Sequence, residues 1–281
     1  MDMKDRVAII TGAGSGIGEA LAHAVADAGA AHVVVADLDG DNAARVAADI
    51  GGTPAAIDVA DEAAIVALVD ATESAHGPIG LFASNAGFVT TGGLEDTNER
   101  IQHMWNVHVM AHVYAARAVV PQMIANEGGY LLNTASAAGL LTQIGSMAYS
   151  VTKGAAVSLA EYLAVTHHHQ GIRVSVLCPQ AVRTNIVANS PDDMVAADDA
   201  DDSLDGGVAG GDGVLEPAET AQACMEAMVE ERFWVLPHPE VAEYALRKAT
   251  DVDRWLNGMR RYQGALHPDG PLPGDAMAPA I

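Results

Sequence analysis

A glycine-rich turn near the start of the chain constrains its fold more than any other feature. Residues 11–18 read TGAGSGIG, directly after the apolar run Val7–Ile10 and before a stretch of helical period. Gly12, Gly16 and Gly18 follow the spacing GxxxGxG rather than the GxGxxG of the usual dinucleotide motif. Glycines at these positions permit a tight turn and close backbone approach, so a pyrophosphate can bind the N–H groups where the helix begins. The alternative, glycines that only form a turn, is disfavoured by the flanking strand and helix.

Apolar runs alternate with longer stretches of helical period along the rest of the chain. Strands this apolar are usually buried on both faces, as in a parallel sheet. Six repeats of strand and helix predict an α/β fold with a doubly wound sheet. The predicted strands are Val7–Ile10, Val33–Ala36, Ala55–Ile57, Leu81–Ser84, Tyr130–Thr134, Arg173–Cys178 and Phe233–Leu236. One helix has readable ends, with Asp61 as its N-cap and Gly77 after its last residue.

The chain is predicted to be a single domain over residues 1–281, because no linker precedes residue 190 and no repeat is present. Residues 189–214 are the exception, since seven of the fourteen positions from 192 to 205 are Asp. This segment is either a disordered surface loop or a flexible lid over a substrate. The tail from Pro268 is rich in Pro and Gly and is predicted to be extended.

The charge balance excludes whole classes of partner. There are 37 acidic and 14 basic side chains, with a formal charge of −23. A nucleic acid or an anionic membrane surface requires clustered Lys and Arg, so neither is expected as a partner. No apolar run approaches the ~18 residues of a membrane span. The first residues lack a secretory signal, and Cys178 and Cys224 form no disulfide framework, so a cytoplasmic protein is expected.

Asp37 stands at the end of the second predicted strand, nineteen positions after Gly18. A carboxylate there can accept both ribose hydroxyls of an adenosine and would repel a 2′-phosphate. Neither Ser15 nor Leu38 is a basic residue that would reverse this preference. The position therefore favours NAD over NADP. An exposed Asp that begins a turn is the alternative.

Tyr149 and Lys153 are spaced i, i+4 and share one face of a helix that begins near Ser146. A phenol with its usual pKa near 10 is a poor base at neutral pH. A cation ~4 Å away in a partly buried site would lower that pKa by about three units. Ser136, at the end of the preceding strand, could hydrogen-bond the substrate oxygen. An amphipathic surface helix explains the Tyr–Lys spacing equally well.

Together these motifs resemble the short-chain dehydrogenase/reductase family over about residues 4–186, and more loosely to residue 250. The matching positions, in the family's order and spacing, are Thr11–Gly18, Asp37, Asp58–Val59, Asn85–Gly87, Ser136, Tyr149–Lys153 and Cys178–Thr184. The resemblance implies a Rossmann-type fold with a seven-stranded parallel sheet and helices on both faces. It also implies an NAD(P) cofactor, hydride transfer at a carbonyl carbon, and a homotetramer or homodimer.

The resemblance also implies a role for each matching residue. Tyr149 would be the catalytic acid/base, Lys153 would lower its pKa and hold the nicotinamide ribose, and Ser136 would position the substrate oxygen. The implied cofactor contacts are Gly12, Ser15, Gly16, Ile17, Gly18, Asp37, Leu38, Asp58, Val59, Asn85, Ala86, Gly87, Tyr149, Lys153, Pro179, Val182 and Thr184. The implied substrate contacts are Ser136, Gln143, Met147 and Gln180.

Two positions depart from the family pattern. His108 stands where the family has a catalytic Asn that supports a proton-relay water. It could bind such a water in a pH-dependent way, or it could only pack. Gln180 stands where Gly is usual after the Pro, and it could narrow the nicotinamide end of the cleft or supply a hydrogen bond.

The resulting expectation is an NAD-dependent oxidoreductase that interconverts a secondary alcohol and its ketone. A small, neutral, apolar substrate is expected, because few charged side chains fall in the substrate segments. The aromatic and Arg residues near Trp255 and Tyr262 are expected to form packing or subunit-interface surface. No metal site is expected, since the three consecutive histidines 167–169 point in different directions. The alternative function is a non-catalytic NAD(H)-sensing protein on the same fold.

Overall fold

The apolar runs of the sequence form seven parallel strands of one sheet. A computed structural model of the chain describes residues 1–186, 190, 207–268, 270 and 272–275. The strands are β1 Val7–Thr11, β2 His32–Asp37, β3 Thr53–Ala56, β4 Ile79–Ser84, β5 Gly129–Thr134, β6 Ile172–Leu177 and β7 Trp234–Val235. Their order across the sheet is β3-β2-β1-β4-β5-β6-β7. The predicted seven-stranded, doubly wound fold is confirmed.

The helices connect the strands and cover both faces of the sheet. They are α1 Gly16–Asp27, α2 Gly40–Ile50, α3 Glu62–His76, α4 Asn98–Trp105, α5 Ala111–Ala125, α6 Ala137–Leu141, α7 Met147–His167, α8 Pro217–Glu230, α9 Glu240–Thr250 and α10 Val252–Leu266. A π-helical segment, Asn106–Met110, joins α4 to α5. Asp61 accepts a hydrogen bond from the Ala63 N–H at the start of α3, and Gly77 follows its end, as the sequence predicted.

Burial differs between the inner and the edge strands. All residues of β1, β4 and β5 are buried, whereas β3 alternates between exposed and half-buried positions. The predicted bounds of the edge strands were therefore the least accurate. The third strand covers Thr53–Ala56 rather than Ala55–Ile57, and the last is only Trp234–Val235. An edge strand has a neighbour on one side only, so its apolar pattern is weaker.

Two hydrophobic layers hold the helices on the sheet. On one face, α3, α5 and α7 contribute residues such as Ile65, Val119 and Val157. On the other, α1 and α8 contribute residues such as Leu21 and Met228. Both cysteines are free and buried in these layers. Burial raises the pKa of each thiol to about 12, so both remain protonated at neutral pH.

The winding direction of the sheet reverses at β1, which lies between β2 and β4. In open α/β sheets, a ligand crevice forms at such a point, beyond the carboxyl ends of the strands. The fold thus places a ligand site after β1 and β4.

The segments singled out at 189–214 and after 268 are described only in part. The lid interpretation concerns mainly residues 187–189 and 191–206, which lie outside the described residues. Ser190 is described, and its Oγ accepts a hydrogen bond from the Val89 N–H at 3.1 Å. Within the described ranges, no helix has the length and hydropathy needed to cross a membrane.

Candidate active site

One large cleft opens at the carboxyl ends of the strands. Its volume is about 2390 Å³, whereas a site for one small ligand typically has about 300–1,000 Å³. Residues at the carboxyl ends of β1 to β6, or within two positions after them, line it, namely Gly12, Asp37, Asp58, Asn85, Ser136 and Pro179. The cleft therefore has room for two ligands side by side.

The glycine turn forms one end of this cleft. Gly12 has φ +63°, and a Cβ there would lie 2.7 Å from the Cα of Ala86. Gly18 does not line the cleft but packs beneath the turn, where a Cβ would lie 2.1 Å from the Gly12 carbonyl oxygen. The N-cap Ser15 makes no side-chain cap hydrogen bond to the first turn of α1, and Gly16 and Ile17 of that turn line the cleft. This arrangement suits an anionic group.

Asp37 lies beside the turn, where the sequence placed it. Its Oδ2 accepts a hydrogen bond from the Gly14 N–H at 2.8 Å, and its Oδ1 accepts one from the Asp39 N–H at 3.0 Å. Sequence reasoning missed Arg45, which donates to the Gly14 carbonyl at 3.0 Å. Glu19 lies 2.7 Å from the Arg45 guanidinium. Its carboxylate offsets the positive charge of Arg45, which is the only positive charge that touches the turn among the described residues.

Asn85 ties the ends of three strands together. Its Nδ2 donates to the carbonyl oxygens of Thr11 and Gly12 at 3.1 and 3.3 Å. Its Oδ1 accepts a hydrogen bond from Thr134 Oγ1 at 3.1 Å. This residue therefore holds the glycine turn at a fixed distance from the end of β5, which carries Ser136. The other predicted cofactor residues, which also line the cleft, are Ser15, Leu38, Val59, Ala86, Gly87, Val182 and Thr184.

Ser136, Tyr149 and Lys153 meet at the middle of the cleft. Ser136 is the N-cap of α6 and accepts a hydrogen bond from the Ala138 N–H at 3.1 Å. Tyr149 and Lys153 lie one turn apart on α7, and both are buried. Lys153 Nζ donates to the Thr134 carbonyl oxygen at 3.1 Å. Burial lowers the pKa of Lys153 to about 8, so its ammonium is charged at neutral pH.

The expected effect of Lys153 on the Tyr149 phenol is not observed. The pKa of Tyr149 is raised, because burial disfavours the phenolate, while the Ser136 hydroxyl opposes this rise. Lys153 Nζ lies 5.6 Å from the centre of the Tyr149 ring, and its hydrogen bond is to a backbone carbonyl. The expectation assumed a cation ~4 Å from the phenol, and the sequence spacing alone could not set that distance.

His108 lies behind the cleft rather than in it. It is fully buried in the π-helical segment, and it does not line the cleft. Its Nε2 accepts a hydrogen bond from the Phe88 N–H at 3.2 Å. The ring proton is therefore on Nδ1, which donates to Thr152 Oγ1 at 3.1 Å. Thr152, which sequence reasoning missed, in turn donates to the Ala148 carbonyl oxygen at 2.9 Å.

These contacts correct the expectation of a pH-dependent relay through His108. Burial, with a smaller contribution from the Lys153 charge, holds the pKa of His108 well below its usual value. The ring stays neutral near neutral pH, and both nitrogens are already hydrogen-bonded. Neither nitrogen is available to a relay water in this arrangement. The side chain links the backbone after β4 to helix α7.

Comparison with known proteins agrees with this geometry. The family model described as short chain dehydrogenase matches residues 6–195. This chain belongs to the short-chain dehydrogenase family. Membership makes it an oxidoreductase of the alcohol/ketone type, in a family that binds a nicotinamide cofactor.

Individual relatives of this dehydrogenase differ in substrate. It is 33% identical over 264 residues to 1-deoxy-11-beta-hydroxypentalenate dehydrogenase of Streptomyces exfoliatus, covering 91% of this chain and 90% of the relative. It is 32% identical over 196 residues to 2,5-dichloro-2,5-cyclohexadiene-1,4-diol dehydrogenase of Sphingobium indicum, covering 68% and 78%. A crystal structure of a short-chain dehydrogenase/reductase from Burkholderia phymatum in complex with NAD is similar, with TM-score 0.80 and 30% identity, covering 90% and 96%.

The three residues predicted to contact the substrate, Gln143, Met147 and Gln180, all line the cleft. Gln180 Nε2 donates to Asp212 Oδ2 at 2.8 Å, and Tyr244 Oη donates to Asp212 Oδ1 at 2.9 Å. Gln180 is thus held by a carboxylate that sequence reasoning missed.

The C-terminal helices form a further wall of the cleft, which we name the C-terminal wall. Its members lie on α9 and α10 and are Tyr244, Arg247, Lys248, Trp255, Leu256, Met259, Arg260, Tyr262 and Gln263. The sequence analysis expected packing or interface surface for Trp255, Arg260 and Tyr262 and did not place them at the cleft, which they line. Their distance in sequence from the glycine turn explains why this position was not predicted. Among the described residues, no group of three or more His, Cys, Asp or Glu is placed to hold a metal ion.

Proposed function

We propose that this dehydrogenase uses NAD to interconvert a secondary alcohol and its ketone, with Tyr149 as general acid/base. The observation that carries the proposal is the meeting of Ser136, Tyr149 and Lys153 in the same cleft as the glycine turn and Asp37. A protein that only sensed NAD(H) would need the turn and Asp37 but not the other three residues.

The described residues fit a nicotinamide dinucleotide. The N–H groups at the start of α1 would hold the pyrophosphate, Asp37 the adenosine ribose, and Lys153 the nicotinamide ribose. The cleft lining next to Asp37 consists of Leu38, Asp39, Asn42 and Asp58, without a basic side chain. A 2′-phosphate would therefore meet no basic side chain in this lining, and the nearby Arg45 is paired with Glu19, which supports NAD over NADP. When bound, the cofactor supplies or accepts the hydride.

Tyr149 performs the proton transfer in this proposal. In reduction, the phenol donates its proton to the substrate carbonyl oxygen; in oxidation, the phenolate takes the proton of the hydroxyl. Ser136 holds the same oxygen by a hydrogen bond. The raised pKa of Tyr149 keeps the phenol protonated at neutral pH, so the rate of oxidation should rise with pH. The Lys153 ammonium, charged below about pH 8, would hold the nicotinamide ribose rather than set the pKa of the phenol.

His108 acts as a positioning residue in this proposal. Through Phe88 and Thr152 it fixes the backbone that follows β4 against the helix that carries Tyr149 and Lys153. The neutral ring, with its proton on Nδ1, accepts one hydrogen bond and donates the other. It thereby preserves the distance between the two walls of the cleft. The protein is further proposed to be a cytoplasmic homodimer or homotetramer. Its two buried free thiols support a reducing compartment, and light scattering would give the subunit number.

Turnover with a panel of secondary alcohols tests the proposal. Cyclic and acyclic alcohols are offered with NAD and, separately, with NADP, and the absorbance of the reduced cofactor is followed. We expect turnover of at least one alcohol, with NAD preferred. Faster turnover with NADP would contradict the role of Asp37. Tight NAD binding without turnover of any alcohol would favour the NAD(H)-sensing alternative.

The relatives leave the charge of the substrate open. One is named for 1-deoxy-11-beta-hydroxypentalenate, which is an acid anion, and another for a neutral diol. Similarity to either supports a substrate with a carbon skeleton that bears a hydroxyl group. The charge has to be inferred from the cleft of this chain.

A further inference from the structure

The C-terminal wall concentrates positive charge in a strongly acidic chain. Residues 240–261 contain five of the fourteen basic side chains but only four of the thirty-seven acidic ones. Three of these basic residues, Arg247, Lys248 and Arg260, line the cleft. Arg247 is paired with Glu243. Lys248 and Arg260 form no ion pair within the described part of the chain.

Lys248 contacts the short helix that Ser136 caps. Its Nζ donates to the Leu140 carbonyl oxygen at 2.5 Å, and Leu140 belongs to the short helix α6 that Ser136 caps. Four residues separate Leu140 from Ser136, which corresponds to about 6 Å along a helix. One of the three N–H donors of the ammonium is used in this hydrogen bond, so two remain for a ligand in the cleft.

Arg260 supplies a second cation on the next helix. Its Nη1 donates to Asn257 Oδ1 at 2.8 Å, within one turn of α10. A guanidinium offers five N–H donors in a planar fork that matches a carboxylate. Most of this fork is therefore available to a ligand.

Three acidic side chains that line the cleft away from the glycine turn, Glu95, Asp96 and Asp212, are already engaged. Asp96 lies 3.5 Å from Arg100 Nε, and Glu95 accepts a hydrogen bond from the Gly93 N–H at 2.7 Å. Both oxygens of Asp212 accept hydrogen bonds, from Gln180 and Tyr244. None of these carboxylates forms an ion pair with Lys248 or Arg260 in the described structure.

Apolar side chains line the same cleft as the two cations. Ile144 precedes α7, Met147 begins it, and Trp255, Leu256 and Met259 lie on α10. A ligand that complements both the two cations and the apolar lining has an apolar body and one anionic group. A carboxylate fits two cations in apolar surroundings better than a phosphate dianion, whose higher charge requires more donors.

We propose that the C-terminal wall binds the carboxylate of a mainly apolar hydroxy acid or keto acid through Lys248 and Arg260. The inference rests on the proposed function, because it assumes that the hydroxyl or keto carbon of the same molecule lies at Tyr149. It replaces the expectation of a neutral substrate, which took no account of the C-terminal helices.

Binding of two probes of the same shape tests the charge preference without requiring turnover. Adamantane-1-carboxylate and adamantane-1-carboxamide are titrated into the protein saturated with NADH, and the heat of binding is measured. We expect the carboxylate to bind about tenfold more tightly, which is the scale of one charge-assisted hydrogen bond. Equal affinities, or no binding of either probe, would overturn the proposal.

Variants assign the preference to the two cations. Lys248→Met and Arg260→Gln should each remove most of the preference for the carboxylate and leave carboxamide affinity within about twofold. Lys248→Arg should retain the preference for the carboxylate. This variant controls for loss of the hydrogen bond from Lys248 to the Leu140 carbonyl oxygen. Arg261→Gln is the matched control, since Arg261 is exposed and does not line the cleft. A preference that survives in the Lys248→Met/Arg260→Gln double variant would contradict the assignment.

The two proposals can fail separately. If alcohols are oxidised but the carboxylate is not preferred, only the inference about the C-terminal wall is wrong. If the carboxylate is preferred but no alcohol or hydroxy acid is oxidised, the wall is an anion site and the proposed reaction is wrong.

Discussion

The two ends of the cleft are built in different ways. At the cofactor end, residues close together in sequence present backbone N–H groups, and one carboxylate completes the site. At the substrate end, the walls come from segments as distant as Leu140 and Lys248, which are 108 residues apart, and side chains make the contacts. A dinucleotide can be held by the backbone N–H groups of a short turn. A particular substrate has to be recognised by side chains.

Tyr149→Phe should have the largest effect, because Tyr149 lies where the two ends meet. Removal of the phenolic hydroxyl should lower the turnover number by about a thousandfold, while the dissociation constant for NADH changes by less than about twofold. Tyr162→Phe, on the exposed side of the same helix, is the matched control and should retain activity. Substantial turnover in Tyr149→Phe would exclude it as the acid/base.

Gly18→Ala tests the claim that the cofactor end depends on backbone geometry. The new Cβ would lie 2.1 Å from the Gly12 carbonyl oxygen, so the turn must shift. We expect NADH affinity to fall by about a hundredfold and the free energy of unfolding to fall by roughly 1–3 kcal/mol. Gly264→Ala, on α10 with open space around it, should leave both quantities nearly unchanged. Normal NADH binding in Gly18→Ala would contradict the account of the turn.

Asp37→Asn should change which cofactor is bound, without affecting the substrate end. Loss of the negative charge removes the repulsion of a 2′-phosphate, so the ratio of NAD to NADP affinity should fall about tenfold. Calorimetric titration with both cofactors measures this ratio. Asp41→Asn makes the same change of charge on an exposed residue that does not line the cleft, and its ratio should stay at the wild-type value.

His108→Asn should have the smallest effect on pH dependence. Because burial holds the pKa of His108 well below its usual value, the ring is neutral near pH 7. The pH–rate profile of the variant should therefore keep the wild-type midpoints, although the rate itself can fall. A midpoint that moves would show that His108 titrates during turnover, contrary to its proposed positioning role.

Local signals in the sequence were sufficient for the fold and the cofactor end. The glycine turn, the position of Asp37 and the caps of α3 depend on neighbours within a few residues, so spacing alone predicted them. The family resemblance placed Ser136, Tyr149 and Lys153 in order, and the structure brings them into one cleft.

Tertiary contacts account for what the sequence did not predict. Spacing on a helix put Lys153 near Tyr149, but the Lys153 ammonium donates its hydrogen bond to the Thr134 carbonyl oxygen, which belongs to a different element. Thr152 carries no motif, and its bond to His108 becomes visible only once α7 packs against the π-helical segment. The basic residues of α9 and α10 were assigned to the surface because nothing in the sequence indicates that these helices fold back over the cleft.

Transfer of deuterium from an alcohol to the cofactor tests the central claim most directly. The protein is incubated with NAD and a secondary alcohol from the panel that carries deuterium on the carbinol carbon, and the reduced cofactor is analysed by mass spectrometry. The account predicts that the NADH formed contains one deuterium and that Tyr149→Phe forms almost none. NADH without deuterium, or bound NAD that is never reduced, would contradict it.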